Sequence, residues 1–544
     1  MRILFVVYDN GSYDHHFPMG LGAIGGVLKK EGHEIEVWSQ DMHHWPDDYL
    51  RIFLDENKFD VVVVSLIAGY YQYKKVLALS RAINSSKNRP TYIMGGYGPT
   101  PEPKYFLDKT ECDIICLGEG EITAVKLMDA LENKTPLEDV PGVAWKDIQG
   151  NLQQTERAPQ VEDLDSLPLY PYELFPMHYY RMVQLPRAQS TDFCLPMMSA
   201  RGCTFVCTFC YRMDPGYRKR DPKALLDEIE FLQKEYGITR ITFQDDLLMS
   251  SVEHTYEVCN EFIKRNIPVT WDCNGRLNYC SPDLLRLMKQ AGCVFINYGI
   301  ESMDQKVLNE MKKGLSPKMV LKGIEDTLDV GISPGFNFIF GSLHDTKETL
   351  KKSVDFLLKY DDFSQKRTIR PVTPYPGSPL YFTAIEMGLL DKDNPCEDFY
   401  ERKHLNSEFI SANFTDLTDE EFYECLNWAN KKLMKNYYDV QKHNTLEQIE
   451  YLYKTKDVSF RGFRRYGGGS IARGQETKVP EKEVNWEGSQ VNDANRFSNH
   501  QGGQTRKIDG VERYIPKEPI FEEDGRANLF NISRKTQAPS RVFQ

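Results

Sequence analysis

At 544 residues, with a formal net charge of −12, the chain is long enough for two or three globular domains. The acidic balance argues against a protein built around nucleic acid or an anionic membrane, and the longest apolar run, VVVVSLIAG, has strand length and cannot span a bilayer. MRILFVVYDN lacks the apolar length and small-residue cleavage site of a signal peptide, and twelve cysteines in a chain this size do not make a secreted disulfide scaffold, so a cytoplasmic protein is expected.

Residues 1–140 alternate two kinds of block. RILFVVY, EIEVWSQ, DVVVVSLI, TYIMGG and CDIICLG read as strands, several apolar throughout; GLGAIGGVLKKEGH, YKKVLALSRAINSS and EITAVKLMDALE read as helices. That alternation predicts a doubly wound, Rossmann-like parallel sheet with its ligand at the carboxyl ends of the strands. Gly20, Gly22 and Gly25 match G-x-G-x-x-G, but they lie a full loop beyond the first strand and read as helix, so a phosphate site is not favoured. Residues 141–190 hold a short hairpin, GVAWKDIQGNLQQTE, and a proline-punctuated linker. From 191 to 395 the alternation resumes, with strand-like ITFQDD, VTWDCN, VFINYGIES and SPGFNFIFG between helix-like segments, as in a whole or partial barrel of the TIM type. Residues 396–453 form a helical extension. Residues 454–544 carry 17 Lys and Arg against 12 Asp and Glu, so they are net +5 and the remainder −17. Poor in aliphatics, this tail is expected to be largely solvated and poorly ordered.

One stretch stands out: SARGCTFVCTFCYRMDPGYRKR places Cys203, Cys207 and Cys210 at C-x3-C-x2-C spacing. Thiolates this close on a loop can bind a soft metal centre. Structural zinc wants four ligands, and the chain offers no second CxxC pair and no histidine near the cluster. A four-iron cluster held by three cysteines leaves one iron open. The other nine cysteines read as small buried hydrophobes.

The spacing, with Phe209 before the last cysteine, resembles the signature loop of the radical S-adenosylmethionine (radical SAM) enzymes. Downstream FQDD, CNGR, YGIES, FGSLHDT and TPYPGSPL resemble the family's blocks at successive barrel strands. The resemblance implies a 4Fe-4S cluster on Cys203, Cys207 and Cys210, with SAM chelating the open iron and an anaerobic setting. It places Phe209, Gln244, Asp245, Asp246, Asn274, Arg276, Glu301 and Ser302 around SAM: Gln244 and one of Asp245 or Asp246 at the methionine amino group, and Asn274, Arg276 and Glu301 at the ribose and carboxylate. Those pairings suit the groups concerned, because an ammonium wants carboxylates and a carboxylate wants arginine. Two plain alternatives stand beside them: Arg276 in a rim salt bridge and Glu301 paired with a lysine.

The region ahead of the barrel resembles the cobalamin-binding domain of one large branch of that family, through PMGLGAIGGVLKKEGHEIEVWSQD (18–41), Ser65, Gly95-Gly96 and GEGE (118–121). It implies cobalamin contacts at Pro18, Gly20, Ser65, Gly95, Gly96, Tyr97, Gly118 and Glu119. The D-x-H-x-x-G pattern that would supply a lower histidine ligand is imperfect, with Met19 where Gly should stand, so no such ligand is expected; His16 remains the candidate. His43 and His44 read as surface or pocket histidines.

Together these resemblances imply a cobalamin-dependent radical SAM enzyme acting on a small molecule. Methylation of an unactivated carbon is the leading reaction, oxidative cyclisation or rearrangement the enzymatic alternative, and a corrinoid- or metal-binding carrier without catalysis the alternative of another class. A flavodoxin or ferredoxin would supply the electron, with no nucleic-acid or membrane partner. Arg212, Arg218, Lys219 and Arg220 read as loop-shaping residues or a donor's docking surface. Tyr298 and Cys273 are conceivable hydrogen-atom donors, with packing the plainer role.

Overall fold

The computed structural model describes residues 1–11, 17–67, 70–183, 188, 192–213, 216–404, 407–456, 504–508 and 511–515; His16 lies outside them. The first sheet has seven strands: β1 (Arg2–Val7), β2 (Glu34–Ser39), β3 (Val61–Ser65), β4 (Thr91–Gly95), β5 (Ile114–Cys116), β6 (Val143–Lys146) and β7 (Leu152–Gln154), in the order β2-β1-β3-β4-β5-β6-β7. The first five are parallel; β6 and β7 add antiparallel to the edge. In β1, Ile3, Leu4, Phe5 and Val6 are fully buried, as an apolar strand covered on both faces must be. The predicted hairpin is therefore part of this sheet, and the first structural unit runs to Gln154 rather than ending near 140.

The glycines of the Met19–Lys30 helix make room for the linker. A Cβ on Gly22 would meet the Tyr170 ring at 3.0 Å, one on Gly25 would meet Pro171 at 3.1 Å, and one on Gly26 would meet the Leu169 carbonyl at 3.0 Å. Packing, not phosphate, explains the G-x-G-x-x-G match.

The second sheet is an open half-barrel. Its strands are β8 (Cys194–Met197), β11 (Arg240–Phe243), β12 (Thr270–Gly275), β13 (Cys293–Glu301), β14 (Ser333–Phe340) and β15 (Arg370–Pro371), parallel and in that spatial order. Between β8 and β11 a two-stranded stem, β9 (Ala200–Arg201) with β10 (Arg218–Lys219), closes the cysteine loop. Three covering helices start alike: Asp221, Ser281 and Ser316 cap their first turns, each followed by a proline whose missing N–H costs nothing there.

The 37-residue Asp419–Thr455 helix closes the barrel's far side, with Phe422 stacked on Phe340 at 4.8 Å. Within the stretch expected to be solvated, strands β16 (Gln504–Ile508) and β17 (Val511–Ile515) pair and dock on the body. Arg513 donates to Asn436 Oδ1 at 2.7 Å, and the Tyr514 ring lies 5.5 Å from that of Tyr360. Among the described residues, no helix is long and apolar enough to cross a membrane.

Candidate active site

The cysteine loop is pinned at its base. The Ser199 amide (2.7 Å), the Ala200 amide (3.0 Å) and the Ser199 hydroxyl all donate to the Asp245 carboxylate. Burial pushes that carboxyl up to about 7 despite these donors. Gly202 then turns the chain at φ 84°, where a Cβ would sit 2.3 Å from the Gly216 carbonyl. At the far side Thr208 N donates to the Met311 carbonyl (3.1 Å), and Thr208 O accepts from Leu380 N (2.9 Å). Asp245 is thus occupied at the loop base, which leaves Asp246 of the two expected candidates for the methionine amino group; Gln244 and Asp246 are both exposed.

Within the loop the close approach of the Cys207 and Cys210 thiols, with Lys313 and Arg276 nearby, favours the Cys207 thiolate and drives Cys210 up. Cys203 is half-buried, and burial raises its thiol. Arg276 stacks over the Phe205 ring at 3.5 Å, with Nη1 4.0 Å from Cys207 Sγ. The guanidinium is buried, yet Nε and Nη2 find no hydrogen-bond partner among the described residues. A rim salt bridge is not its role. Such donors left bare in a buried place suit an anion with two acceptor oxygens.

Glu301 ends β13 at a bulge with φ 70°, a conformation that costs a non-glycine residue about 1–3 kcal/mol. Its carboxylate accepts from Lys313 at 2.8 Å in a buried pair, and a Cβ on Gly299 would collide with both partners. Lys313 also lies 5.5 Å from the Phe209 ring. Ser302 is buried in the turn after β13, where its Oγ accepts from Asp304 N at 3.1 Å.

The interior of the half-barrel carries a ladder of amides. Asn274 donates to the Asp245 carbonyl (2.9 Å), Asn297 to Asn274 Oδ1 (3.0 Å) and Asn337 to Asn297 Oδ1 (3.0 Å). The carbonyl can only accept, so it sets the direction of every amide above it. Tyr298 and Cys273 point the other way: the Tyr298 hydroxyl bonds Thr327 and Cys280 on the helix side, and both residues are fully buried. They pack.

The N-terminal sheet faces this site with its carboxyl end. Gly96 has φ 101°, and a Cβ there would stand 2.5 Å from the Leu66 carbonyl and 3.1 Å from Ser65 Oγ; one on Gly20 would stand 3.6 Å from the same hydroxyl. Gly20, Ser65 and Gly96 thus meet at the carboxyl ends of the strands, where ligands of such sheets bind. Gly118, at φ 78°, donates its N–H to Thr100 Oγ1. Tyr97 is partly exposed and meets Tyr211, next to Cys210, edge to face at 6.1 Å. Gly377 fits between Pro101 and Tyr211.

Two arginines of the loop stem hold the domains together. Arg218 donates to Glu119 and to the Val161 carbonyl, and Arg201 donates to Glu121 at 2.6 Å. Arg220 pairs with Asp165 and Glu228. Arg218 and Arg220 are therefore internal ties and not a docking surface, and the Glu119 carboxylate, expected against cobalamin, is spent on the domain seam. His43 stacks on Trp45 at 3.8 Å, and His44 pairs with Asp9 at 2.9 Å.

A family model described as the radical SAM superfamily matches residues 197–357, and one described as the B12 binding domain matches residues 6–128. The chain thus carries a B12-binding domain followed by a radical SAM domain. An uncharacterized methyltransferase of Pyrococcus horikoshii is 26% identical over 409 residues, 72% of this chain and 85% of its own. An anaerobic magnesium-protoporphyrin IX monomethyl ester cyclase of Rubrivivax gelatinosus is 27% identical over 395 residues, 70% and 69% of the two chains. The radical S-adenosylmethionine methyltransferase TsrM of Kitasatospora setae, solved with cobalamin and a 4Fe-4S cluster bound, superposes with a TM-score of 0.59 at 17% identity, over 71% of this chain and 74% of its own. That likeness is one of fold.

The radical SAM domain implies a 4Fe-4S cluster and SAM, and the B12-binding domain implies cobalamin. Bare buried donors on Arg276 beside Cys207 and a backbone cradle at Gly96 that any side chain would fill suit them; the three thiols share one pinned loop, although among the described residues no three ligating side chains stand close enough together to hold a metal ion. Lys313, Asn297, Arg201 and Glu121 were missed by sequence reasoning. Asn297 was within reach, because N-x-G-x-E in INYGIES puts Asn297, Gly299 and Glu301 on one strand face; Lys313 gave no signal.

Proposed function

We propose that this chain is a cobalamin-dependent radical SAM methyltransferase that methylates an unactivated carbon of a small molecule in the cytoplasm, drawing its electron from a flavodoxin or ferredoxin. The observation that carries the reading is a contact: the carboxyl end of the B12-binding sheet, at Tyr97 beside Gly96, meets the cysteine loop at Tyr211. In this reading Cys203, Cys207 and Cys210 hold the cluster and Arg276 takes the methionine carboxylate. Asp246 and Gln244 receive the amino group, Asn274 meets the ribose, and Pro18, Gly20, Ser65, Gly95 and Gly96 floor the corrin. When bound, these cofactors supply one-electron cleavage of SAM and a transferable methyl group.

The chain's own residues position and shield. Lys313 neutralises Glu301 and adds positive charge beside the thiols. Phe205 and Phe209 give apolar faces to the two cations, which keeps water from solvating them. The arginine ties to Glu119 and Glu121 hold the two cofactor sites at a fixed separation, as transfer between them requires.

The test is anaerobic reconstitution with iron, sulfide, cobalamin, reductant and methyl-labelled SAM. Equal amounts of 5′-deoxyadenosine and S-adenosylhomocysteine with a labelled product are expected. Deoxyadenosine without label transfer would favour cyclisation, the reaction named for the Rubrivivax relative; no deoxyadenosine at all refutes the reading.

A further inference from the structure

A cavity of about 450 Å³ opens between Phe209 of the cysteine loop, the β13–β14 wall at Asn297 and Asn337, and the segment around β15. No carboxylate lines it, although the chain as a whole is strongly acidic. Lys366, Arg367 and Arg370 do line it. Arg367 is neutralised by Asp361 and Asp362. Among the described residues Arg370 pairs with one carboxylate, Glu408, at 3.6 Å with both side chains well exposed, and Lys366 lies over the Tyr438 ring without an acidic partner.

Behind this wall lies a second layer of the same sign. Lys403 is 3% exposed, and its ammonium donates to the His404 carbonyl (2.7 Å) and Ser407 Oγ (2.6 Å). Ser407 lines the cavity and lies 3.4 Å from the hydroxyl of Tyr375, which lines it too. A lysine ammonium has three protons, and no carboxylate pairs with this one among the described residues. A buried cation without a counter-ion persists at a cost unless something outside the chain repays it.

We propose that this cavity binds an oxyanion, a phosphate or carboxylate group of the small-molecule substrate, with Arg370 and Lys366 contacting it and Lys403 acting through Ser407. The proposal rests on the methyltransferase reading only in calling the ligand the substrate, and its test does not use turnover. Reconstituted holoenzyme, saturated with SAM and held at low ionic strength, is titrated calorimetrically with inorganic phosphate and, separately, with butyrate. Saturable binding of at least one is expected. A stronger response to phosphate assigns a phosphoryl group, and a stronger response to butyrate a carboxylate.

Arg370→Gln, an exposed change that spares folding, should weaken binding at least tenfold. Lys403→Met should weaken it several-fold, and Glu408→Gln should leave it equal or tighter. Binding of neither anion, or binding unchanged in Arg370→Gln, overturns the proposal. Anion binding with no deoxyadenosine formation sinks the reaction instead and leaves the cavity assignment standing.

Discussion

Replacing Lys403 by methionine should stabilise the anion-free protein near neutral pH while weakening its hold on an anion. Burial, with Arg370 adding to it, lowers the ammonium's pKa from 10.5 to about 8, a shift worth about 3 kcal/mol against the charged form. Methionine keeps most of the stem and removes that cost. It also leaves the His404 carbonyl and the Ser407 hydroxyl without their donor, at about 1 kcal/mol each. The net gain is about 1 kcal/mol below pH 8. Its sign changes with pH. Between about 8 and 10.5 the unfolded chain holds a proton that the folded chain has released, so the wild type gains stability as pH rises through this window. The variant has no such group, and by pH 10 it should be the less stable of the two through its lost hydrogen bonds. The assay is thermal unfolding of both proteins in phosphate-free buffer near pH 7 and near pH 10, reading the difference in midpoint of the same transition. A variant that melts lower at pH 7, or a difference that stays constant with pH, refutes the reasoning.

Arg276→Met should leave iron content unchanged and weaken SAM binding by about ten- to a hundred-fold, the loss of a charge-assisted hydrogen-bond pair; equilibrium dialysis against labelled SAM reads it. Cys207→Ala should abolish the cluster's absorbance and deoxyadenosine formation while cobalamin still binds. In Gly96→Ala a Cβ would stand 2.5 Å from the Leu66 carbonyl, so cobalamin retention after gel filtration should fall with iron content intact. Glu119→Gln leaves the buried Arg218 without its counter-ion and should cost about 3–5 kcal/mol, seen as the two domains melting separately; Glu119→Gln with Arg218→Met should recover much of it.

The architecture was legible because its strands are apolar throughout: Ile3 to Val6 and Val61 to Val64 announce a sheet covered on both faces. The first boundary was misplaced because β6 and β7 are short edge strands that read as an isolated hairpin until β5 is seen beside them. In the tail, average composition hid the alternation of QTRKI and VERYI around Asp509-Gly510, a local hairpin signal. At the site, residue types at strand ends could not say which of Asp245 and Asp246 is tied to the loop base. Neighbouring acids on one loop look alike until the Ser199 and Ala200 amides claim one of them. Pairs such as Arg218 with Glu119, 99 residues apart, leave no local trace at all. Charge alone left two roles open for the basic residues after the metal loop, and for Arg218 and Arg220 the ion pairs favour shaping the loop over docking a partner.

The four residues ahead of the first cysteine show why three thiols suffice only in this setting. Ser199 and Ala200 tie the loop to the end of β11 through Asp245, Arg201 ties it to the other domain through Glu121, and Gly202 makes the turn that no side chain would allow. The stem partner adds Arg218 to Glu119 across the same seam. The loop therefore takes its position from both domains at once. A cluster with one open iron needs its ligand placed to within a fraction of an ångström, and the ligand's motion is limited by whatever fixes the thiols and Arg276 relative to each other. Because Glu119 and Glu121 stand at the carboxyl end of the sheet that carries Gly96, anything that shifts that sheet also pulls on Arg201 and Arg218, two and eight residues from the nearest cysteine. Docking of the B12-binding domain and geometry of the cysteine loop are in this sense one structural variable.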